Sequence, residues 1–292
     1  MTATLPPPPP PSAPPPPSPP PPSAASRGPG SGRPSRRART GWKVAGSLAA
    51  VALLLWGLTQ AVTQIAHEER TETISYDATG ITTLDVAIDS GSLTVVGTDG
   101  DQITVTARIS DGLRSTSVRR EVVGDRLELR GGCPALLSAF CDVAYTVEMP
   151  SRIAVRARLG NHSARVSGVV GDLDLHSSNG RVEARGSGTG TVRLHSDNGN
   201  VVGLELRART VDAHSDNGDV DLTFAAAPGD VKATSDNGDV TIEVPDDGTS
   251  YAVDTGSANG STAAPVRTDP DSDRRIVARS GNGSVLVTYR TD

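Results

Sequence analysis

Residues 192–240 read VRLHSDNGNVVGLELRARTVDAHSDNGDVDLTFAAAPGDVKATSDNGDV, and this stretch writes one phrase three times. The phrase is Ser, any residue, Asn, Gly and a polar residue, usually followed by Val. The chain carries six copies, whose Asn residues are 19, 19, 20, 22 and 23 residues apart: Asn179, Asn198, Asn217, Asn237, Asn259 and Asn282. A fixed period of about 20 residues predicts a repeat architecture in which each repeat forms one rung.

Apolar residues alternate with polar ones on both sides of each Asn-Gly pair. Because side chains alternate along a strand, these apolar residues share one face and are predicted to form the core. They include Val182, Val201, Val220, Val240 and Val285 after the turns, and Leu175, Leu194, Ala213 and Ala233 before them. No helical period interrupts this pattern between residues 71 and 289, so the sequence predicts an all-β domain.

Each Asn-Gly pair is predicted to make a structural turn, because both residues tolerate positive φ. The Ser two places earlier is expected to bond backbone groups of its own turn. We predict a β-solenoid-like stack of ~20-residue rungs; the alternative is an antiparallel meander of Asn-Gly hairpins. The predicted turns are Asn179-Gly180, Asn198-Gly199, Asn217-Gly218, Asn237-Gly238 and Asn282-Gly283.

The N-terminal part has a different composition. Sixteen Pro fall within the first 34 positions, which predicts that residues 1–41 form a disordered tail, with a ligand for a Pro-binding groove as the alternative. Residues 42–66 are predicted to form one transmembrane helix in contact with the lipid bilayer, because no charge interrupts 44–66. A cleaved signal peptide is the competing interpretation.

Charge sets the expected topology and partners. Residues 1–66 contain six basic and no acidic side chains, so the positive-inside rule predicts a cell-membrane protein with a cytoplasmic tail. Residues 67–80 would then be a linker and residues 81–292 an extracellular β-repeat domain. The whole chain has a formal charge of −6, which leaves −12 on residues 67–292 and argues against nucleic acid. We expect a protein partner at the envelope, or self-association through edge strands.

The chain has two cysteines, Cys133 and Cys141. An even pair in an exported domain predicts a disulfide between them, and two free buried thiols are the alternative.

Two columns of polar side chains are the candidate binding residues. If the rungs stack, Asp197, Asp216 and Asp236 form a carboxylate column that could bind Ca²⁺, and His176, His195 and His214 form a column that could bind Zn²⁺ or Cu²⁺. The interpretation that we favour is solvated turn carboxylates and outward-facing histidines copied with the repeat. We therefore predict no metal and no cofactor.

No catalytic residue is predicted. Ser follows His directly in three copies, and adjacent residues of a strand point to opposite faces, so a Ser–His relay is not expected. No nucleophile elbow, H-E-x-x-H run or phosphate loop occurs in the sequence. We predict that the protein is not an enzyme.

The motif x-S-x-N-G-x-V-x-[VLI], preceded by Cys133-Pro, Cys141 and a strand ending in Met149-Pro150, resembles the bacterial DUF4097 family of β-strand-repeat proteins. The resemblance covers residues 81–289. That family is described as "putative adhesins"; it implies an exported or membrane-tethered β-solenoid-like domain and no known reaction. We expect a structural, adhesion or interaction role at the bacterial envelope. The alternative is an envelope-stress or signalling accessory, whose external domain senses and whose tail reports.

Overall fold

The structure is a computed structural model that describes residues 50, 52–54, 56–57, 68–111, 116–132 and 141–291. The chain divides into two units, residues 1–58 and 59–292. The predicted tail and Cys133 lie outside the described residues, so the disulfide stays a prediction. Of the predicted transmembrane helix, only residues 50, 52–54 and 56–57 are described, and they are helical. Within the described part of the chain, no helix has the length and apolar character that a bilayer crossing requires.

The second unit is built from β-strands, as the period-two alternation predicts. The described strands are β1 (Glu68–Asp77), β2 (Thr83–Ser90), β3 (Leu93–Thr98), β4 (Gln102–Asp111), β5 (Ser117–Val123), β6 (Arg126–Gly132), β7 (Asp142–Pro150), β8 (Ala154–Asn161), β9 (Ala164–Ser167), β10 (Leu173–Asn179), β11 (Val182–Arg185), β12 (Thr191–Ser196), β13 (Val201–Leu206), β14 (Thr210–Asn217), β15 (Val220–Phe224), β16 (Asp230–Asn237), β17 (Val240–Val244), β18 (Ala252–Asn259), β19 (Thr262–Ala263), β20 (Arg275–Asn282) and β21 (Val285–Tyr289).

These strands form two sheets. One sheet has the order β1-β4-β7-β3-β9-β11-β13-β15-β17-β21-β19, and the other has the order β18-β20-β16-β14-β12-β10-β8-β2-β6-β5. Each repeat gives the strand before its Asn-Gly corner to the second sheet and the strand after it to the first. The repeat is therefore one rung that spans both sheets.

Neighbouring rungs pair in parallel and in register. Leu175 lies opposite Leu194, and Leu194 opposite Ala213; on the other sheet Val201 lies opposite Val220. Antiparallel pairs occur among the described strands only at the N-terminal end, in β1–β4, β4–β7 and β5–β6. The predicted stacking is confirmed and the hairpin meander is wrong, because the strands before and after an Asn-Gly corner, such as β10 and β11, pair in parallel with strands of the neighbouring rungs and not with each other.

The rungs do not stack in the order of the sequence. Strand β20 lies between β16 and β18, so the sixth copy of the motif is inserted between the fourth and the fifth. Residues 260–274, which contain β19, connect β18 of the fifth copy to β20 of the sixth. The fifth copy therefore forms the end of the stack.

The core is the narrow apolar row that the alternation predicts. The predicted inner residues before the turns, such as Leu175 and Ala213, are at most 1% exposed, as are those after the turns, such as Val201 and Val220. The core continues into the N-terminal rungs through larger side chains, including Ile103 and Leu127. Part of the predicted 67–80 linker belongs to the domain, because residues 68–77 form β1 and pair with β4.

Candidate functional site

The Ser of each motif binds the neighbouring rung. Ser196 Oγ donates to the carbonyl of Gly180 at 2.8 Å, and Ser215 Oγ donates to the carbonyl of Gly199 at 2.9 Å. Both side chains are fully buried. The expectation that Ser bonds its own turn is wrong, because its inward direction places the hydroxyl beneath the corner of the adjacent rung. The remaining copies repeat the contact through Ser177, Ser235, Ser257 and Ser280.

The Asn side chains form a continuous ladder along the outer corner. From Asn179 onward, each Nδ2 donates to the Asn Oδ1 of the preceding rung in the stack at 2.9–3.1 Å. The order is Asn161, Asn179, Asn198, Asn217, Asn237, Asn282 and Asn259. An Asn side chain carries both a donor and an acceptor, so the residue can repeat this contact without limit. Asn161 extends the ladder by one rung beyond the six copies of the motif.

At four of the five predicted corners the Gly is required for close approach and not for its φ angle, whereas Gly283 has a φ of 159° as well as a close approach. No Asn of the predicted turns has positive φ, and neither do Gly180, Gly199, Gly218 and Gly238. A Cβ at Gly218 would lie 2.6 Å from the carbonyl carbon of Gly199, and one at Gly238 would lie 2.3 Å from the carbonyl oxygen of Gly218. The positions of the predicted corners are confirmed, but positive φ is the wrong reason for Gly180, Gly199, Gly218 and Gly238.

Three histidines occupy one column on the outer face of the second sheet. The ring centroids of His176 and His195 are 4.7 Å apart, and those of His195 and His214 are 5.0 Å apart. Strand register fixes this column, because His176 lies opposite His195 and His195 lies opposite His214. The side chains are between 29% and 39% exposed, so all three are accessible from solvent.

Two of the three candidate aspartates turn toward these rings. His195 Nε2 lies 3.0 Å from Asp197 Oδ1, and His214 Nε2 lies 2.8 Å from Asp216 Oδ1. The same oxygen of Asp197 lies 3.8 Å from His176 Nε2. Asp236 is exposed and has no histidine beside it, because Thr234 takes that position in β16. The geometry therefore joins the two candidate columns, which sequence analysis had considered separately.

The sequence does contain a signal for these pairs. In His195-Ser-Asp197 and His214-Ser-Asp216, the two polar residues are two positions apart and share one face of a strand. The first copy has Ser178 at the position of the aspartate, so His176 depends on the aspartate of the next rung. We call the set His176, His195, His214, Asp197 and Asp216 the His–Asp column.

Metal-ligating atoms converge at two places within the described residues. They are His176, His195 and Asp197, and then His195, His214 and Asp216; in each set the ligand atoms lie within 4.8 Å of one another. The two sets share His195. Neither is a group of three carboxylates, so the described carboxylates of Asp197, Asp216 and Asp236 do not converge as a calcium site would require.

A second acidic row lies on the other side of the corner. Asp219 Oδ1 accepts from the backbone N–H of Asp239 at 3.0 Å, and Asp239 Oδ1 accepts from that of Ser284 at 2.7 Å. Burial raises the pKa of nearby Asp221, and the charges of Asp219 and Asp239 act in the same direction. These carboxylates are engaged in joining rungs, as the serines and asparagines are.

The predicted separation of Ser and His is confirmed. Ser196 is fully buried and faces the core, whereas His195 beside it faces outward. The serine hydroxyl donates to a backbone carbonyl of the neighbouring rung instead of to an imidazole. The column can therefore hold a proton or a cation, but these adjacent serines cannot act as nucleophiles for it.

A cavity lined by several arginines lies beside the N-terminal edge strands, and no prediction from the sequence included it. It has a volume of about 810 Å³, and Arg70, Glu72, Arg119, Arg120 and Arg130 are among its lining residues. The side chain of Arg120 is only 9% exposed and pairs with Glu72, yet its Nη1 atom is buried and has no hydrogen-bond partner among the residues that the structure describes. Neither the composition nor the repeat indicates this feature, because strands distant in sequence bring its residues together.

The family model described as Toastrack DUF4097 matches residues 138–292 of this chain. No curated protein gives a significant match to the sequence.

Three solved structures of similar proteins span nearly all of their own chains in the comparison. A "putative adhesin" from Bacteroides fragilis is 18% identical with a TM-score of 0.42, covering 76% of this chain and 97% of its own. A "putative cell adhesion protein" from Clostridium sporogenes is 12% identical with a TM-score of 0.40, covering 76% and 100%. A "putative adhesin" from Parabacteroides merdae is 13% identical with a TM-score of 0.41, covering 75% and 96%.

Proposed function

Because this chain belongs to the Toastrack DUF4097 family, we propose that it is a membrane-anchored surface scaffold whose β-stack makes non-enzymatic contacts at the bacterial envelope. Residues 42–66 anchor the chain in the bilayer, residues 1–41 lie in the cytoplasm and residues 67–292 lie outside. Three features of the sequence support this arrangement: the uncharged stretch 44–66, the basic side chains before it and the acidic ones after it.

The observation that carries the proposal is the open end of the stack, where strand β18 is the edge strand of its sheet. We propose this end as the contact surface. Val253 and Thr255 hold inward positions in β18, because they lie opposite Ile276 and Ala278 of β20. Ile276 and Ala278 are fully buried, whereas Val253 and Thr255 remain part-exposed.

An open edge strand offers unpaired N–H and C=O groups together with an incompletely covered apolar row. Both favour the addition of a strand from another protein molecule. A second copy of this chain has the matching chemistry, because its own β18 carries the same alternation of inward Val and Thr. The end rung is therefore proposed to join two copies edge to edge, either on one cell or between neighbouring cells.

Two variants of the full-length chain test the contact. Val253→Lys places a charge on the inward side of the edge strand, whereas Ala252→Lys is the matched control on the outward side of the same strand. We expect Val253→Lys to abolish both association of the detergent-solubilised chain, measured by sedimentation, and clumping of cells that display it. The control should retain both. Circular dichroism verifies that each variant is folded, and equal association of the two variants would remove β18 as the contact.

Topology and signalling require separate experiments. Protease treatment of intact cells should remove an epitope placed after residue 67, and survival of that epitope would overturn the outside assignment. Deletion of residues 1–26, which keeps all six basic side chains before the uncharged stretch 44–66, should leave cell clumping unchanged. A loss of clumping on that deletion would favour the signalling alternative instead.

A further inference from the structure

We propose that the His–Asp column binds one divalent transition-metal ion, of which Zn²⁺ is the reference case. The column is independent of the edge strand proposed above, since β18 is separated from β14 by β20 and β16. It offers three imidazole nitrogens and two carboxylates on three consecutive rungs of one sheet face. Imidazole with one carboxylate suits zinc, copper or nickel better than calcium or magnesium.

His195 is the centre of the site. It belongs to both convergent sets, one with His176 and Asp197 and the other with His214 and Asp216. Because one histidine serves both sets, the column holds one ion at a time and not two. The ion has two alternative positions, one for each convergent set.

The distances allow coordination after small side-chain rotations. Zinc bonds of about 2.0–2.1 Å place tetrahedral ligand atoms roughly 3.3 Å apart, and the ligand atoms of each set already lie within 4.8 Å. The backbones need not move, because these side chains are part-exposed and can turn toward solvent. The remaining coordination position faces water.

The carboxylates are already directed at the nitrogens that would bind the ion. Asp197 and Asp216 each place one oxygen within 3.0 Å of a histidine Nε2. A cation that enters this position gains an imidazole nitrogen and a carboxylate oxygen as ligands at the same time.

Thr234 orients the last ring of the column. Its Oγ1 lies 2.8 Å from His214 Nδ1, which leaves Nε2 directed at Asp216. A hydrogen bond to the other ring nitrogen is the usual support of a metal-binding histidine. Thr234, which occupies the register position after His214, thus ends the column and supports the ring of His214.

Arg158 favours the position nearer to β14. It occupies the same register position as the histidines, in the rung that precedes His176. Its positive charge opposes a cation at the His176 end of the column. The set formed by His195, His214 and Asp216 lies one rung further from that charge than the other set and is the preferred position.

The proposal is tested by metal titration of the full-length chain without an affinity tag. Co²⁺ serves as the spectroscopic probe and Zn²⁺ as its competitor, and Ca²⁺ at equal concentration reports any carboxylate-only site. We expect one Co²⁺ per chain, with the absorption bands of low-symmetry nitrogen and oxygen coordination, displaced by stoichiometric Zn²⁺. Failure of Zn²⁺ to displace Co²⁺, or equal binding of Ca²⁺, would overturn the proposal.

Variants assign the binding to the column. His195→Asn should weaken Zn²⁺ binding by about tenfold or more, since it removes a ligand from both sets, and Asp216→Asn should weaken it less. The matched control is His162→Asn, which removes a histidine outside the column, and Asn tolerates the positive φ of 86° at that position. Thermal melting in chelator establishes that each variant folds. Equal loss in the His195 and His162 variants, or no loss in either, would exclude the column.

Discussion

Asn282 donates its side-chain amide to Asn237 Oδ1 at 2.9 Å, although 45 residues separate them in the chain. Asn259, which lies between them in sequence, is placed beyond Asn282 and donates to it at 2.9 Å. This single exchange of neighbours determines which rung ends the stack. The asparagine ladder remains continuous through the exchange, because every rung presents the same donor and the same acceptor.

We expect the Asn ladder to stabilise the stack most at its middle. Asn217→Ala removes a donor to Asn198 and an acceptor for Asn237, whereas Asn259→Ala at the end removes only a donor to Asn282. At about 0.5–1.5 kcal/mol for each hydrogen bond, the two ladder bonds of the middle variant correspond to a loss of about 1–3 kcal/mol, and the single bond of the end variant to about half of that. Denaturant midpoints measure the difference, and equal losses would argue against a cooperative ladder.

Gly218 should not tolerate any side chain. The Cβ of a Gly218→Ala variant would lie 2.6 Å from backbone atoms of Gly199, which cannot move without separating two rungs. We expect a loss of stability of at least about 2 kcal/mol or failure to fold, measured by thermal melting. Gly100→Ala is the control, because a Cβ there meets only Thr98 Oγ1, at 3.6 Å. A melting temperature unchanged in both variants would contradict the close approach.

Ser215 should be more sensitive than an outward serine. Ser215→Ala leaves the carbonyl of Gly199 without its side-chain donor in a fully buried corner. An unsatisfied buried group costs about 1–3 kcal/mol, and urea unfolding should detect a loss of this size. Ser178→Ala, at a part-exposed corner position, should change stability by less than about 0.5 kcal/mol. A loss as small for Ser215 would mean that the contact does not stabilise the fold.

Two buried tyrosines should make the fold sensitive to alkali. Burial raises the pKa of Tyr145 and that of Tyr251 to about 12, whereas an unfolded tyrosine titrates near pH ~10. The unfolded chain therefore loses its phenolic protons first, so stability that is complete below about pH 10 declines between about pH 10 and 12. Unfolding midpoints across this range measure the decline.

The two tyrosines should differ when each is replaced by Phe. Tyr145 donates to the carbonyl of Arg130 at 3.1 Å, so Tyr145→Phe should cost about 1 kcal/mol at neutral pH. Within the described part of the chain, the buried Tyr251 hydroxyl has no hydrogen-bond partner, so Tyr251→Phe should be neutral or stabilising there. Each variant should lessen the alkaline decline. A destabilised Tyr251→Phe variant at neutral pH would show that this hydroxyl has a partner.

The buried residues of the core could be predicted from the sequence, whereas the contacts at the corners could not. The core depends on alternation within one strand, and the corner contacts join different rungs. A strand reveals in its own sequence which side chains face inward, as Val201 and Val220 do. The partner of Ser196 is a carbonyl 16 residues away, and no local pattern names it. Asn-Gly fits both a hairpin and a stacked corner, so its φ angles could not be chosen before the neighbouring rung was known.

The amino-acid sequence specifies the rung through its period, its inward valines and the position of each corner. It also determined that His195 and Asp197 share a face, because they are two positions apart on one strand. The order of the rungs, in contrast, depends on which strands pair in the folded protein. Strands with the same motif offer one another equivalent hydrogen bonds, so β20 could pair with β16 in place of β18. That order and the parallel register bring three histidines and two aspartates into one column and leave Val253 at an open edge.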